Sequence, residues 1–274
     1  MSTSTLTPRA RRRQADADAG VSLRRVITSE WIKFRTLRSS WYTLGAAVAS
    51  LVAIALIIGY VTSTSDWSSL EADDRAASGP LQGYFLSQLF IGVLGVLFVA
   101  GEYGTGMIRS TIAAVPKRLP VVAAKSAVFG LVALAAMTVS SFIAFFGAQA
   151  FLSGDGHAAS LSDPGALRAV AGVGVYLALV GILGGALGWI IRSTAGAIAA
   201  LVGLLLVIPV IVQAVPTTLT TTVAQYLPAD AGGSFLATVQ APDTLGPWAG
   251  LGVLVLWVAA ALAAAVVVVR RRDA

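Results

Sequence analysis

The chain has 274 residues, of which 57% are hydrophobic and only 12% are charged, against about 25% charged in soluble domains. A water-soluble fold of this length could not bury so much apolar surface. The absence of cysteine excludes disulfides and thiolate chemistry, and the single histidine, His157, excludes a histidine-based zinc site. The net charge of +6 is concentrated at the chain ends and in short loops, as membrane topology requires, which argues against nucleic-acid binding.

The N-terminal region divides into two parts. Residues 1–22 are polar and basic and are predicted to be a disordered cytoplasmic tail. Residues 23–40 are predicted to contain an amphipathic helix with a basic polar face, which suits the headgroup layer of a membrane. A soluble surface helix is the alternative, which the span that begins immediately afterwards disfavours. The apolar positions of this helix are Leu23, Val26, Ile27, Trp31, Phe34 and Leu37, and the basic ones are Arg24, Arg25, Lys33 and Arg35.

Residues 41–274 are predicted to form an all-α membrane domain with six transmembrane helices. The third apolar stretch is too long for one straight crossing, so its first turns, including Lys125, are expected to lie below the membrane. Pro209 is expected to kink the fifth span. The predicted spans are residues 41–61, 83–100, 119–152, 167–191, 195–215 and 248–269.

The distribution of basic residues predicts the orientation of the spans. With the N-terminus on the cytoplasmic side, the outer loops contain only Arg75 and Arg168 among the basic residues. A shift of the topology by one span would invert this pattern. Both termini are therefore predicted to be cytoplasmic, in the plasma membrane of a bacterium.

The predicted spans have no clear ionisable residue at mid-membrane depth, which disfavours an ion-coupled carrier. Their polar side chains could line a pathway or form hydrogen bonds between helices. The glycines of the fourth span, from Gly181 to Gly188, indicate close helix packing within or between subunits. No phosphate-binding loop is present, so any nucleotide is expected to be hydrolysed by another chain. The possible pathway residues are Ser87, Gln88, Ser140, Gln149 and Gln213.

The segment after the second span carries an ordered set of motifs. It reads Glu102-Tyr103-Gly104-Thr105-Gly106-Met107-Ile108-Arg109, followed by Val115-Pro116-Lys117-Arg118 and then by Lys125. Together with Glu30-Trp31-Ile32-Lys33-Phe34-Arg35 in the N-terminal helix, this set resembles the permease subunits of ABC-2 type transporters, a family that includes antibiotic and bacitracin exporters. The resemblance covers the chain from about residue 23 to its end.

The resemblance implies a role for each of these segments. The N-terminal helix would be an elbow helix beside an ATPase, with Glu30, Trp31, Lys33 and Arg35 as its site residues. Residues 102–114 would form a coupling helix that seats in the ATPase. Glu102 would cap a helix or pair with a basic residue, Gly104 and Gly106 would permit a sharp exit from the span, and Pro116 would end the coupling helix. The other coupling residues are Thr105, Arg109, Lys117 and Arg118.

The function that this resemblance implies is a permease subunit that exports a hydrophobic or amphiphilic substrate. Its partners would be ABC ATPase subunits, a second identical or different permease subunit and the lipid bilayer. ATP and magnesium would bind the ATPase, and no cofactor would bind this chain, which is not expected to be an enzyme. The alternatives are a membrane anchor or assembly factor that transports nothing, and a secondary carrier.

Overall fold

The computed structural model describes residues 22–64, 79–108, 119–155, 158–215, 222–241 and 244–271. Most of these residues are helical, and none of them lies in a β-strand. Six of their helical segments are long and apolar enough to cross a membrane, which confirms the prediction of an all-α fold with six candidate spans. They are Arg38–Ser63, Gly79–Gly104, Leu119–Leu152, Ala166–Ile191, Thr194–Ala214 and Pro247–Arg271.

The first helix precedes the first candidate span and is separated from it by a single residue. Helix α1 (Leu23–Thr36) begins after Ser22, whose side chain accepts a hydrogen bond from the backbone amide of Arg25. Leu37 is extended, and α2 (Arg38–Ser63) begins directly after it. The indole of Trp41 donates to the carbonyl of Arg35 at 3.0 Å, which fixes the corner between the two helices.

The core of the bundle is the contact between α3 (Tyr84–Gly104) and α5 (Ala166–Ile191). Glycines on both helices face each other there: a methyl group at Gly95 would overlap the carbonyl oxygen of Gly181, and one at Gly184 would overlap that of Gly92. These small residues of α5 therefore pack within the subunit. The sequence had left open whether they pack within or between subunits.

Helix α4 (Leu119–Leu152) is continuous over 34 residues and packs against both α2 and α5. At 1.5 Å per residue it is about 51 Å long, well beyond the roughly 30 Å of a hydrocarbon core. Its first two turns, which the sequence predicts to lie below the membrane, pack against apolar residues of α3 and α5. Lys125 lies in these turns and is only 1% exposed, because neighbouring helices cover it.

The fifth candidate span is interrupted. It consists of α6 (Thr194–Val202), a π-helical turn (Gly203–Val207) and α7 (Ile208–Ala214). Pro209 is the second residue of α7, and a proline cannot donate to the carbonyl four residues before it, here that of Leu205. The hydrogen-bonding pattern of the helix therefore changes immediately before Pro209, where the sequence predicts a kink.

Two further helices complete the bundle. Helix α8 (Pro228–Leu236) packs against α9 (Pro247–Arg271) and against the start of α5. The guanidinium of Arg168 donates to the carbonyls of Phe235 and Ala237, so it caps the C-terminal end of α8. This contact gives Arg168, one of the two exceptions in the predicted charge distribution, a structural role. Residue 75, the other exception, lies outside the described residues.

The bundle has two ends, which are named here by their helices. The α1 end carries α1, the C-termini of α3, α5 and α9, and the N-terminus of α4. The far end carries α8 and the N-termini of α3 and α5. Residues of the predicted N-terminal tail before Ser22 lie outside the described part of the chain.

Candidate functional site: an ionic cluster at the α1 end

Four charged side chains from three helices meet at the α1 end and form a closed ring. Glu30 comes from α1, Glu102 from the last turn of α3, and Lys125 from the second turn of α4. Lys125 Nζ lies 2.8 Å from both Glu30 Oε2 and Glu102 Oε1. Lys33 Nζ, also from α1, lies 2.7 Å from Glu30 Oε1 and 3.0 Å from Glu102 Oε1. Each carboxylate is therefore shared by both ammonium groups, and the four charges cancel.

The ring is buried, although charged groups are rarely removed from water. The side chains of Glu30 and Lys125 are each 1% exposed, that of Glu102 is 6% exposed, and that of Lys33 is 20% exposed. Lys125 has further support, because its ammonium donates to the carbonyl of Phe98 at 3.1 Å and lies 4.2 Å from the centre of the Phe98 ring. Burial on this scale is tolerated because each charge has an opposite charge in direct contact.

Lys33 is the member of the ring that is nearest to solvent. Burial alone would lower the pKa of its ammonium, but the hydrogen bonds and charges of Glu30 and Glu102 outweigh that effect, and the pKa is raised above 10.5. Because the raised pKa belongs to the folded state, the stabilisation from Lys33 is fully present below the unfolded pKa. It is lost only as the pH rises through the raised value.

Tyr103, the residue after Glu102, makes contacts on the opposite side of the same helical turn. The ring of Tyr103 packs edge-on against the indole of Trp189, with 6.0 Å between centroids. The guanidinium of Arg192 lies 5.4 Å from the centre of the Tyr103 ring and 3.4 Å from the carbonyl of Val268 in α9. The last turn of α3 is thus attached through Glu102 to α1 and α4, and through Tyr103 to α5 and α9.

The backbone of Arg192 adopts an unusual conformation at this junction. Its φ of 59° lies in the left-handed region, which a non-glycine residue adopts at a cost. Arg192 ends α5, and its amide donates to the carbonyl of Gly188. The turn directs the guanidinium back toward α3 and α9, which accounts for the contact with Tyr103.

The chain leaves α3 directly beside this junction. Thr105 ends the helix, and its hydroxyl donates to the carbonyl of Gly101 at 3.1 Å. Gly106 has a φ of 73° and makes the turn, as its predicted role requires, whereas Gly104 is still helical. Glu102 lies in the last turn of α3 and pairs with two lysines, so of the two roles foreseen for it, it has the pairing role and does not cap a helix start.

The remaining residues of the predicted coupling segment can be placed only in part. Ile108 is 3% exposed and packs with Val26 of α1 in the cluster of apolar side chains at this end. Arg109, Pro116, Lys117 and Arg118 lie outside the described residues.

Within α1, the structure divides the predicted site residues between two faces. Val26, Glu30 and Phe34 are buried against the bundle, and Lys33 is turned toward Glu30. Trp31 is 41% exposed and Arg35 is exposed. The prediction that Lys33 faces outward with the other basic residues of α1 is wrong, because Lys33 belongs to the ring of charges that faces inward.

Four of the five proposed pathway residues already have hydrogen-bond partners within the bundle. The hydroxyl of Ser87 donates to the carbonyl of Ala47 at 2.8 Å, and Gln88 accepts from the hydroxyl of Tyr176. Gln213 is exposed on α7. The other two are Ser140, which donates to Ala136 in its own helix, and Gln149, which accepts from the amide of Ala159.

Sequence reasoning missed part of this site. Tyr103, Trp189 and Arg192 were not identified as a unit, because they lie up to 89 positions apart and their contacts depend on the packing of α3 against α5. The convergence of Glu30 and Lys33 on Glu102 and Lys125 was also not foreseen, although the sequence had marked all four. One available signal was that Glu30 is the only acidic residue of an otherwise basic helix.

Comparison with known proteins adds no family assignment. The chain matches no protein-family model, and no curated protein matches it.

The described residues include no group of three His, Asp or Glu side chains that could hold a metal ion. The cluster itself has two carboxylates whose charges are already neutralised by lysines. Its arrangement is suited to holding helices together rather than to binding a cation.

Proposed function

We propose that this chain is the transmembrane permease subunit of an ATP-driven transporter of the ABC-2 type, with an ATPase as a separate subunit. The observation that carries the proposal is the ring of Glu30, Lys33, Glu102 and Lys125. It joins α1 to the two helix ends that border residues 105–118, the segment that would contact the ATPase. The cargo would be hydrophobic or amphiphilic, since the bundle offers few charged side chains away from its ends.

The first supporting argument is mechanical. A force applied to residues 105–118 reaches the bundle through the last turn of α3 and the first turns of α4. Glu102 ties the first of these to α1 and α4, and Tyr103 ties it to α5 and α9. A movement of residues 105–118 would therefore move these helices together and would not be lost in bending where the segment joins α3. A coupling element needs this property.

The second argument is energetic. Moving four charges out of water costs several kcal/mol for each ion, and well-packed apolar side chains of similar size often stabilise a protein equally well or better. Stability alone therefore gives little reason for a buried ring of charges. Strict pairing geometry, which apolar contacts lack, would give the junction a single defined arrangement, in keeping with a role in transmitting movement.

Co-purification tests the partner. The tagged chain is purified in mild detergent from its native host, and the bound proteins are identified by mass spectrometry. We expect a nucleotide-binding ATPase with the native chain and its loss with Thr105→Glu, because Thr105 is exposed beside the proposed contact. Among the described residues, its hydroxyl bonds only to the backbone carbonyls of Gly101 and Glu102 and not to the charged side chains of the ring. Val239→Glu, at the far end and 61% exposed, is the matched control and should keep the ATPase.

Absence of an ATPase from the native sample, under conditions that preserve membrane complexes, would contradict the proposal. The chain would then be better explained as a membrane anchor or assembly factor, or as a secondary carrier. An ion gradient that drives uptake or export in ATP-free vesicles would favour the carrier.

Coupling is tested apart from binding. Glu102→Gln keeps the size of the side chain and removes one charge of the ring. We expect this variant to retain the ATPase in co-purification but to reduce the ATP hydrolysis that the intact complex shows, by about tenfold. Unchanged hydrolysis would mean that the ring has no part in coupling.

A further inference from the structure

One edge of α1 carries two exposed apolar side chains between two exposed arginines, and no described helix packs against it. Ile27 and Trp31 are 38% and 41% exposed, and Arg24 and Arg35, at the two ends of the same edge, are exposed as well. At about 100° per residue, Arg24 and Arg35 project within about 20° of each other around the helix axis. Arg25, by contrast, projects about 100° away from Arg24.

The charge of this edge is entirely positive. Glu30 is the only acidic residue of α1, and it is turned into the bundle, where two lysines neutralise it. The inward position of Glu30 therefore has a second effect, because it leaves the exposed arginines of α1 without an intrahelical carboxylate. An exposed arginine without such a partner is free to bind an anion.

Aromatic side chains continue the edge into the first candidate span. Trp41 is 47% exposed and is held by its hydrogen bond to the carbonyl of Arg35, and Tyr42 is 76% exposed. Arg38, between them and α1, is also exposed. Indoles and phenols concentrate at the boundary between hydrocarbon and headgroups, where one end of the ring is in an apolar layer and the other contacts polar groups.

We infer that this edge of α1 is a binding site for anionic phospholipids, in which Arg24 and Arg35 bind the headgroup phosphates while Ile27 and Trp31 enter the upper acyl layer. The occupant follows from complementarity, because an anionic lipid offers both a negative charge and apolar chains to one helix edge. Guanidinium groups bind phosphate oxygens in a bidentate manner, and an arginine whose stem lies beside apolar side chains extends its charged head to the polar layer. The inference does not depend on whether the chain works with an ATPase.

Native mass spectrometry of the full-length, delipidated protein tests this site. The protein is titrated with equal amounts of phosphatidylglycerol and phosphatidylcholine, and the bound lipids are counted. We expect a preference for phosphatidylglycerol that Arg24→Gln reduces about fivefold, the size of effect that one surface arginine has on attraction to an anionic bilayer. Arg24→Gln/Arg35→Gln should reduce it further, whereas Arg24→Lys should retain most of it.

Arg25→Gln is the matched control, since Arg25 is adjacent, exposed and equally charged but projects from another side of the helix. It should change the preference by less than twofold. An equal loss in Arg24→Gln and Arg25→Gln would overturn the inference, because the attraction would then reflect overall charge alone. It would also be overturned if the native chain bound both lipids equally. A third contradicting result is a double variant that keeps its lipid and releases a co-purifying protein, which would identify the edge as a protein-docking surface.

Discussion

Lys125 holds together more of the α1 end than any other charged residue that the structure describes there. Its ammonium contacts two carboxylates, a backbone carbonyl and an aromatic ring, and the side chain is 1% exposed. Its position six residues into α4 places these contacts at the meeting point of three helices. Replacement of this residue should therefore cost more stability than replacement of any other member of the cluster.

Replacement of Lys125 by Met is expected to destabilise the protein by about 3–5 kcal/mol, because Glu30 and Glu102 would be left buried with excess negative charge. Thermal unfolding of the purified protein in detergent measures this loss. Lys33→Met provides the comparison, since Lys33 is 20% exposed and should cost considerably less. Addition of Glu30→Gln to Lys125→Met should recover part of the stability, and a loss equal to or larger than that of the single variant would contradict the charge argument.

Asp230, near the start of α8, lies in an environment that opposes its charge, unlike Lys125. Burial raises the pKa of its carboxyl above 3.8, and Oδ2 has no hydrogen-bond partner among the described residues. The folded state therefore binds the proton more tightly than the unfolded state does. Native stability is expected to increase as the pH falls from 7 through this raised pKa, and to level off below the unfolded value.

Asp230→Asn should remove this pH dependence and make the protein modestly more stable at pH 7. The gain is expected to be small, because the carboxylate in the first turn of α8 also interacts favourably with the helix dipole. Thermal unfolding at a series of pH values from 4 to 8, for the native chain and the variant, measures both effects. If the two curves remain parallel, another group is responsible for the pH dependence.

At the scale of whole elements, the bundle depends on the close approach of α3 and α5. This approach exists only because glycines oppose backbone atoms on both sides of the contact, as at Gly95 and Gly184. Such packing gives each helix extensive van der Waals contact in an environment where the hydrophobic effect does not drive association of helices. The two helices also carry Glu102, Tyr103 and Trp189, so their spacing determines the geometry of the α1 end.

Gly95→Ala is expected to separate α3 from α5 or to prevent folding, because the added methyl group would overlap the carbonyl oxygen of Gly181. Gly45→Ala in α2 is the matched control, since no atom lies within 4 Å of the methyl group that it adds. The control should be neutral or slightly stabilising, as alanine favours a helix by up to about 1 kcal/mol over glycine. Expression and thermal stability in detergent compare the two, and similar values would show that the contact tolerates a wider spacing.

At the scale of the whole molecule, the two ends of the bundle differ in composition. The α1 end has the ionic ring and the basic residues of α1 and of the last turn of α9, whereas the far end has α8, Asp230 and a single capping arginine, Arg168, among the described residues. On the positive-inside rule, we propose that the end with the basic residues faces the cytoplasm.

The native chain contains no cysteine, so single cysteines can be introduced without background. We expect Val239→Cys, at the far end, to react with a membrane-impermeant maleimide in intact cells. Thr105→Cys, at the α1 end, should react only after the membrane is made permeable. The reverse pattern would invert the orientation, and equal reactivity in intact cells would contradict a fixed topology.

The sequence by itself determined the all-α class of the protein and the approximate positions of its six candidate spans. Whether a segment can cross a bilayer depends on its length and apolar composition, which are local properties of the sequence. It also marked Glu30, Lys33, Glu102 and Lys125, because they belong to the motifs on which the proposed function is based. Only the tertiary structure decided that these four side chains form one buried ring, that Lys33 faces inward, and that Tyr103 packs edge-on against Trp189. Apart from the Glu30–Lys33 pair within α1, these contacts join residues 23 to 95 positions apart. Their geometry depends on how closely α3 and α5 approach, which glycine positions permit but do not specify.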